Sequence, residues 1–308
     1  SRPTIHGEVC RAMPKIRKPS VLTGLTAAQA MRRQVVGQTA ATPIAQGIRA
    51  LVKYKSNALL IRDEAGAPQG VVSKTDLMGA YYAGLPTPTP LGDIMVGPPR
   101  FCFPDDDLES CLSVMQQYGI HQLYVLGADI HAAVGVVDYG DILGLLYRYC
   151  RTCTQSRHAS RLAQEDQAAE RLRVREVMTR KVETCPAQTP LTEIIEILSA
   201  RGFGALLIQD GADAPQGVIS KSDLMGADQH GVDPAASAQS IMGRPLVTCE
   251  AEALLADAIQ QMLVRDVQRL FVHHPAPDTI VGVLSLSNAA RFRSGTCRAC
   301  RSSRLMDP

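Results

Sequence analysis

The chain contains 308 residues, carries a formal net charge of +2 and is 45% hydrophobic. This length allows two or more domains that each bury a core. No apolar run approaches the roughly 18 residues that would span a bilayer. The small net charge argues against nucleic acid as the main partner. Nine cysteines, an odd number, do not form a disulfide framework, and the first residues do not resemble a secretory signal. We therefore expect a reducing, cytoplasmic environment.

The predicted elements follow one order, strand, helix, strand, strand and helix, in four successive units. In the third unit Thr189 and Pro190 predict the N-cap and first-turn proline of a helix, and apolar residues follow at helical spacing. Residues 205–208 and 217–219 are apolar runs too short for helices and are predicted strands. Ser222 is predicted to cap a second helix that begins at the next residue. The units are about 20–83, 91–149, 174–228 and 239–293.

One stretch of fourteen residues occurs twice, as APQGVVSKTDLMGA at 67–80 and as APQGVISKSDLMGA at 214–227, with twelve identities at an offset of 147 residues. The same offset relates Met31 to Met178 and Cys102 to Cys249. A shorter repeat lies inside each half, because the GVVS of the first unit is echoed by GVVD in the second. The chain is therefore an internal duplication of a half that itself contains two related units.

The last strand and helix of the first and third units are joined by the pattern Gly-x-x-Ser-x-x-Asp, and three units open on an Ile-Met or Val-Met pair. With the amphipathic helix and apolar strand between them, these features resemble the cystathionine β-synthase (CBS) domain, over four units and nearly the whole chain. The resemblance implies an α+β fold in which four CBS units form two tandem pairs, packed as a disc within one chain or in a homodimer. The expected segments are a first pair at 1–149, a Cys-x-x-Cys and charged linker helix at 150–173, a second pair at 174–293 and a basic Cys-x-x-Cys tail at 294–308.

The Gly-x-x-Ser-x-x-Asp ending suits a nucleotide. Its aspartate can accept hydrogen bonds from a ribose diol, while its hydroxyl groups and the first amides of the next helix can face a phosphate. In the CBS family this motif binds AMP, ADP, ATP or related ligands. The sequence does not choose among these nucleotides, S-adenosylmethionine and other adenosine ligands. The resemblance carries these roles to Ser73, Thr75, Asp76, Ser220, Ser222 and Asp223. The alternative is that serine and aspartate only cap the helix, which is physically sufficient by itself.

Units two and four depart from this pattern. Asp138 stands where a hydroxyl residue is expected, so a carboxylate would repel a phosphate, although Asp141 remains available as a ribose acceptor. Asn288 replaces the aspartate of unit four and is a weaker, uncharged acceptor. In related domains a basic residue just before the second strand of the partnering unit contacts phosphate, which implies that role for His121 and Arg269. For His121 a surface or packing role is the alternative.

Two cysteine pairs recur at the 147-residue offset, each after the last predicted helix of a half. Cys150 and Cys153 correspond to Cys297 and Cys300. Two such pairs provide the four thiolates of a tetrahedral zinc site if the halves bring them together. An iron cluster or another soft metal, and unmetallated thiols or separate disulfides, are alternatives that the sequence leaves open.

The sequence contains no GxxxxGK[ST], HExxH or GxSxG motif, and no segment outside the four units is long enough for an enzyme domain. We therefore expect a non-enzymatic regulatory protein, in which an adenosine ligand between paired units alters the surface offered to an unknown partner protein. One alternative is a metal- or redox-responsive scaffold that uses the Cys-x-x-Cys pairs and has vestigial nucleotide clefts. Another is nucleic-acid binding through the basic tail.

Overall fold

The structure is a computed structural model that describes residues 22, 24–129, 132–152, 173–211 and 214–296. The described part of the chain forms four sheets of three strands each, with helices beside them. This confirms the predicted α+β class and the organisation in four units. The strands are Gly37–Thr39 (β1), Ala58–Arg62 (β2), Pro68–Ser73 (β3), Phe101–Cys102 (β4), Gln122–Leu126 (β5), Ala133–Asp138 (β6), Thr184–Cys185 (β7), Ala205–Ile208 (β8), Gly217–Ser220 (β9), Thr248–Glu250 (β10), Arg269–His273 (β11) and Ile280–Ser285 (β12).

Every unit has the same strand order. Its first strand pairs in parallel with the second, and the second pairs antiparallel with the third. A parallel pair needs a crossover connection, which the helix between the first two strands supplies. The α-helices are Ala27–Ala30 (α1), Ile44–Tyr54 (α2), Lys74–Tyr82 (α3), Leu108–Gln117 (α4), Tyr139–Thr152 (α5), Leu191–Arg201 (α6), Lys221–Gln229 (α7), Leu255–Arg265 (α8) and Leu286–Thr296 (α9), and short 3₁₀ helices are Leu91–Asp93, Val174–Glu176 and Ala238–Ser240.

Two helix starts differ from the prediction. The N-cap of α6 is Pro190, with an extended backbone at ψ 149°, so the prediction of Thr189 as N-cap is wrong by one residue. Helix α7 begins at Lys221, so the prediction that Ser222 caps it is also wrong. The reason is that the Ser220 side chain reaches an amide of the first turn, whereas Ser222 already lies inside that turn.

The two units of each half exchange their leading segments. Arg32, which precedes the sheet of unit one, pairs with Val136 on β6 of unit two, and Val96, which precedes the sheet of unit two, pairs with Val71 on β3 of unit one. The second half repeats this exchange with bridges between Thr179 and Val283 and between Val218 and Gly243. Backbone hydrogen bonds therefore tie each half into a tandem pair.

Equivalent helices of the two halves pack against each other. Helix α3 contacts α7, and α5 contacts α9. Met78 of α3 lies in the core of unit three, and Met225 of α7, its equivalent at the 147-residue offset, lies in the core of unit one. One continuous core joins units two and four. These contacts give the arrangement expected of a disc within one chain.

Most of the predicted linker helix at 150–173 and of the tail at 294–308 lies outside the described residues, so both stay predictions. In the part of the chain that the structure describes, every helix is too short or too polar to cross a membrane.

Candidate functional site

The serine and aspartate of the first complete motif cap helix α3. Ser73 ends β3, and its Oγ accepts hydrogen bonds from the amides of Thr75 at 3.2 Å and Asp76 at 3.4 Å. The same hydroxyl donates to Asp76 Oδ2 at 2.7 Å, and the Ser73 amide donates to that oxygen at 2.7 Å as well. The capping role that the sequence left open is therefore present.

The same arrangement recurs in unit three. Ser220 Oγ donates to Asp223 Oδ2 at 2.6 Å and accepts from the Asp223 amide at 3.3 Å, and the Ser220 amide donates to Oδ2 at 2.7 Å. Each aspartate thus uses one oxygen for the cap. Among the described residues nothing donates to the other oxygen, Oδ1, of Asp76 or Asp223. Capping is therefore compatible with ligand binding, because one carboxylate oxygen of each motif remains as an acceptor.

The two complete motifs lie next to each other, and the lysine of each motif donates a hydrogen bond to a hydroxyl group of the other. Lys74, in the first turn of α3, donates from Nζ to Ser222 Oγ at 3.1 Å. Lys221, in the first turn of α7, donates from Nζ to Thr75 Oγ1 at 2.7 Å. Neither lysine was predicted as a site residue, although each motif copy has one directly after its serine. A phosphate at either motif would therefore face a lysine from the opposite half.

Arg269 of β11 adds a third cation near these two lysines. Burial, followed by the positive charge of Arg269, lowers the pKa of Lys74 and of Lys221 below 10.5. Burial also lowers the pKa of Arg269 to about 10, and the Asp223 carboxylate opposes that change. Within the described residues none of the three cations has a carboxylate oxygen within 4.0 Å. The Asp76 and Asp223 carboxylates act on these cations only from beyond ion-pair distance. Three partly desolvated cations without a direct ion pair are therefore suited to an anion.

A glycine lets Arg269 reach the motif of unit three. A Cβ atom at Gly204 would lie 1.9 Å from Nη2 of Arg269, so the guanidinium group passes over a residue without a side chain. Gly204 immediately precedes β8, and its carbonyl accepts from the Lys221 amide at 3.2 Å. The arginine of unit four therefore lies beside the first turn of α7.

The first half has no equivalent arginine. At the 147-residue offset Arg269 corresponds to Gln122, which is buried, and its side-chain amide donates to Ala58 O at 3.3 Å and to Tyr124 Oη at 3.0 Å. His121 and Arg269, for which the same role was expected, differ by one residue in register, because His121 corresponds to Gln268. The two complete motifs therefore have different basic neighbours.

His121 precedes β5 and lies near the same cations. Its ring meets the Tyr139 ring edge-on, with 5.9 Å between centroids. Desolvation lowers the pKa of His121 below 6.5, and the charges of Lys221, Arg269 and Lys74 lower it further, while Asp138 opposes them. His121 is therefore mainly neutral at pH 7 in the ligand-free protein, and a nearby anion would favour its protonated form.

The motif of unit two is bonded to an arginine of the same chain. Arg32 donates from Nη2 to Asp138 Oδ2 at 2.7 Å and from Nε to Asp141 Oδ1 at 2.8 Å. A ribose at Asp141 would have to displace this guanidinium group. In unit four, Asn288 Oδ1 accepts from the Ser285 hydroxyl, so this motif is an uncharged cap.

The predicted metal ligands cannot be compared with the geometry. Cys153, Cys297 and Cys300 lie outside the described residues, as does the side chain of Cys150. Among the residues that the structure does describe, no group of three or more histidine, cysteine, aspartate or glutamate side chains could hold a metal ion. Cys102 and Cys249, which the 147-residue offset relates, are both buried in the way that is common for small apolar side chains.

The fold and the motif define the class of the protein. The family model described as the CBS domain matches residues 91–148, 174–230 and 238–295, which is more than half of the chain. The chain therefore belongs to the CBS domain family. The model does not match unit one, where the structure nevertheless shows the same strand order and the same motif. No curated protein sequence matches the chain.

Solved structures that match most of the chain share this fold. Protein MJ1225 of Methanocaldococcus jannaschii, proposed to be an archaeal homolog of g-AMPK, is 13% identical, with a TM-score of 0.71 over 87% of this chain and 99% of that one. An uncharacterized conserved protein of Pyrococcus horikoshii is 15% identical, with a TM-score of 0.56 over 87% of this chain and 100% of that one. CBSX2, crystallised in complex with AMP, is 21% identical, with a TM-score of 0.36 over 39% of this chain and 94% of that one.

Proposed function

We propose that the chain is a regulatory protein that binds phosphate-bearing adenosine ligands at the motifs of units one and three. The observation that carries this proposal is the cluster of Lys74, Lys221 and Arg269, none of which forms an ion pair with a described residue, beside a free carboxylate oxygen on each of Asp76 and Asp223. A nucleotide presents a ribose diol next to a phosphate, which is the complement of these groups. Membership of the CBS family supports a regulatory rather than a catalytic role.

The charge of the cluster favours some adenosine ligands over others. AMP, ADP and ATP bring negative charge to three cations, so their binding is electrostatically favourable. S-adenosylmethionine brings a sulfonium cation to the same place. We therefore expect the nucleotides to bind more tightly than S-adenosylmethionine. Thr75 and Ser222 provide further phosphate contacts, and protonation of His121 would add one more cation when an anion is bound.

Binding at either motif involves both halves of the chain. A phosphate near Thr75 would contact Lys221 of the other half, and a phosphate near Ser222 would contact Lys74. Ligand binding should therefore alter the packing of α3 against α7. A change in packing between two arrangements is the general route by which a ligand alters a distant surface. We propose that this surface is offered to a partner protein, by a monomeric disc or by a homodimer.

Isothermal titration calorimetry with ATP, ADP, AMP, adenosine and S-adenosylmethionine tests this function. We expect a dissociation constant in the micromolar range for at least one nucleotide, equivalent to about −8 kcal/mol. The nucleotides should bind more tightly than adenosine, because adenosine cannot use the cations. Absence of binding by all five compounds would contradict the proposal.

The scaffold function that uses the cysteine pairs is a second hypothesis. It rests on the recurrence of Cys150 and Cys153 as Cys297 and Cys300. If the four thiolates hold one zinc ion, protein prepared without chelator or acid should contain one equivalent of metal, and chelation should lower its melting temperature. Cys297→Ser should lose most of the metal. Elemental analysis that finds less than roughly a tenth of an equivalent of any transition metal would reject the shared site.

A further inference from the structure

The acidic pair of unit two forms a site that is already filled. Nε of Arg32 donates to Asp141 Oδ1 at 2.8 Å and Oδ2 at 3.1 Å, and Nη2 donates to Asp138 Oδ2 at 2.7 Å. The side chains of Asp138 and Asp141 are 15% and 10% exposed. One planar guanidinium group therefore makes three N–H contacts with two mostly buried carboxylates, a geometry that suits arginine better than lysine.

The guanidinium group occupies the place of a ligand. Asp138 and Asp141 stand at the serine and aspartate positions of the complete motifs, and each donates its amide to the carboxylate of the other at 2.9 Å. Oxygen atoms that would face a ribose in the complete motifs thus face Arg32 in unit two. Arg32 is held there by its backbone, which exchanges two hydrogen bonds of 2.9 Å with Val136 on β6.

The fold does not require these charges, because the duplicated half is built without them. At the 147-residue offset Arg32 corresponds to Thr179, while Ser285 and Asn288 replace the two aspartates. The amide group of Asn288 donates to Thr179 Oγ1 at 3.5 Å, and the bridge between Thr179 and Val283 repeats the one between Arg32 and Val136. The same scaffold therefore forms with neutral residues in place of Arg32, Asp138 and Asp141.

The two carboxylates repel each other, and Arg32 opposes this repulsion. Burial, followed by the charge of Asp138, raises the pKa of Asp141 to about 7, although Arg32 acts to lower it. Two other titratable groups lie near the pair. His121 interacts electrostatically with Asp138, and Asp266 interacts electrostatically with Arg32. The pair therefore takes up a proton near neutral pH even with Arg32 in place, and without Arg32 it would hold two facing carboxylates with no bound cation, an arrangement that favours a cation over a phosphate.

We propose that the cleft of unit two is a guanidinium-binding site whose ligand is Arg32 of the same chain. The cleft accordingly takes a planar cation of the guanidinium class and not a nucleotide. This proposal does not depend on nucleotide binding at units one and three.

Chemical rescue tests the proposal. We expect Arg32→Ala to melt at a lower temperature than the wild type, and guanidinium chloride at millimolar concentration, compared with equal sodium chloride, to raise its melting temperature by about 3 °C. The wild type and the double variant Arg32→Ala/Asp141→Asn should show no such rise. Arg33→Ala removes an exposed arginine at the next position and serves as the matched control. Absence of rescue, or equal rescue in the double variant, would overturn the proposal.

Arg32→Lys keeps the test decisive if Arg32→Ala does not fold. Lysine retains the charge but lacks the planar fork that makes all three contacts with the carboxylates, so we expect a lower melting temperature than that of the wild type. A melting temperature equal to that of the wild type would show that any cation suffices and would overturn the assignment of a guanidinium site.

Discussion

Replacement of Lys221 by methionine removes one ammonium group from the proposed site and keeps a side chain of similar shape. In the ligand-free protein Lys221 Nζ donates one hydrogen bond, to Thr75 at 2.7 Å, and is repelled by Lys74 and Arg269. Burial and then Arg269 lower the pKa of Lys221, which means that the folded protein disfavours the charged form. We therefore expect the free energy of unfolding at pH 7 to be unchanged or higher in Lys221→Met.

Affinity for a nucleotide should change in the opposite direction. A hydrogen bond between an ammonium group and a phosphate contributes about 1.5–3 kcal/mol. Since about 1.4 kcal/mol corresponds to a factor of ten, the dissociation constant for ADP should rise about 10- to 150-fold in Lys221→Met. Adenosine has no phosphate, so its affinity should stay the same. Calorimetric titration with ADP and adenosine measures both values, and urea unfolding measures stability.

A control variant and the pH dependence of stability show whether the effect of Lys221→Met is specific to this position. Lys53→Met removes the same charge from an exposed position on α2 and should not change ADP binding. Because the pKa of Lys221 is lower in the folded than in the unfolded chain, wild-type stability should rise as pH rises towards 10.5, and this rise should be smaller in Lys221→Met. ADP affinity within about twofold of wild type in the double variant Lys74→Met/Lys221→Met would refute the reasoning.

Alanine at both Asp76 and Asp223 removes the ribose acceptors, and calorimetry should show weaker nucleotide binding by about 1.5–3 kcal/mol per occupied site; unchanged binding would exclude both residues from the site. Met78→Ala truncates a side chain that is 1% exposed and lies in the core of the opposite half. Urea unfolding should show a loss of about 2–5 kcal/mol, in contrast to a small change in Val52→Ala at an exposed position. Asp228 is 8% exposed, and burial raises its pKa from 3.8 to about 6. The stability that its neutral form contributes is therefore lost as pH rises from about 4 to about 6. Asp228→Asn should be more stable than the wild type at pH 7, by at most about 3 kcal/mol. Equal stability of the two proteins at pH 7 would contradict this expectation.

The number of units, their strand order and the place of the motif were predictable from the sequence. These features depend on residues that are close together in the chain, such as the Ser73 hydroxyl and the amide of Asp76 three positions later. The predicted helix starts at Thr189 and Ser222 were wrong by one or two residues, because the backbone geometry and the hydroxyl group that reaches an amide decide where a helix begins.

Only the tertiary structure decided which charges meet. Lys221 and Thr75 are 146 positions apart, and Arg32 and Asp141 are 109 apart, so no local pattern links them. Their contacts depend on the packing of α3 against α7 and on the pairing of the Arg32 backbone with β6. The sequence by itself determined a duplicated CBS chain with two complete motifs, because periodicity and capping are local. The lysine contacts between the two complete motifs, and the contact of Arg32 with the acidic pair of unit two, arise because units that are distant in the chain pack together in the folded protein.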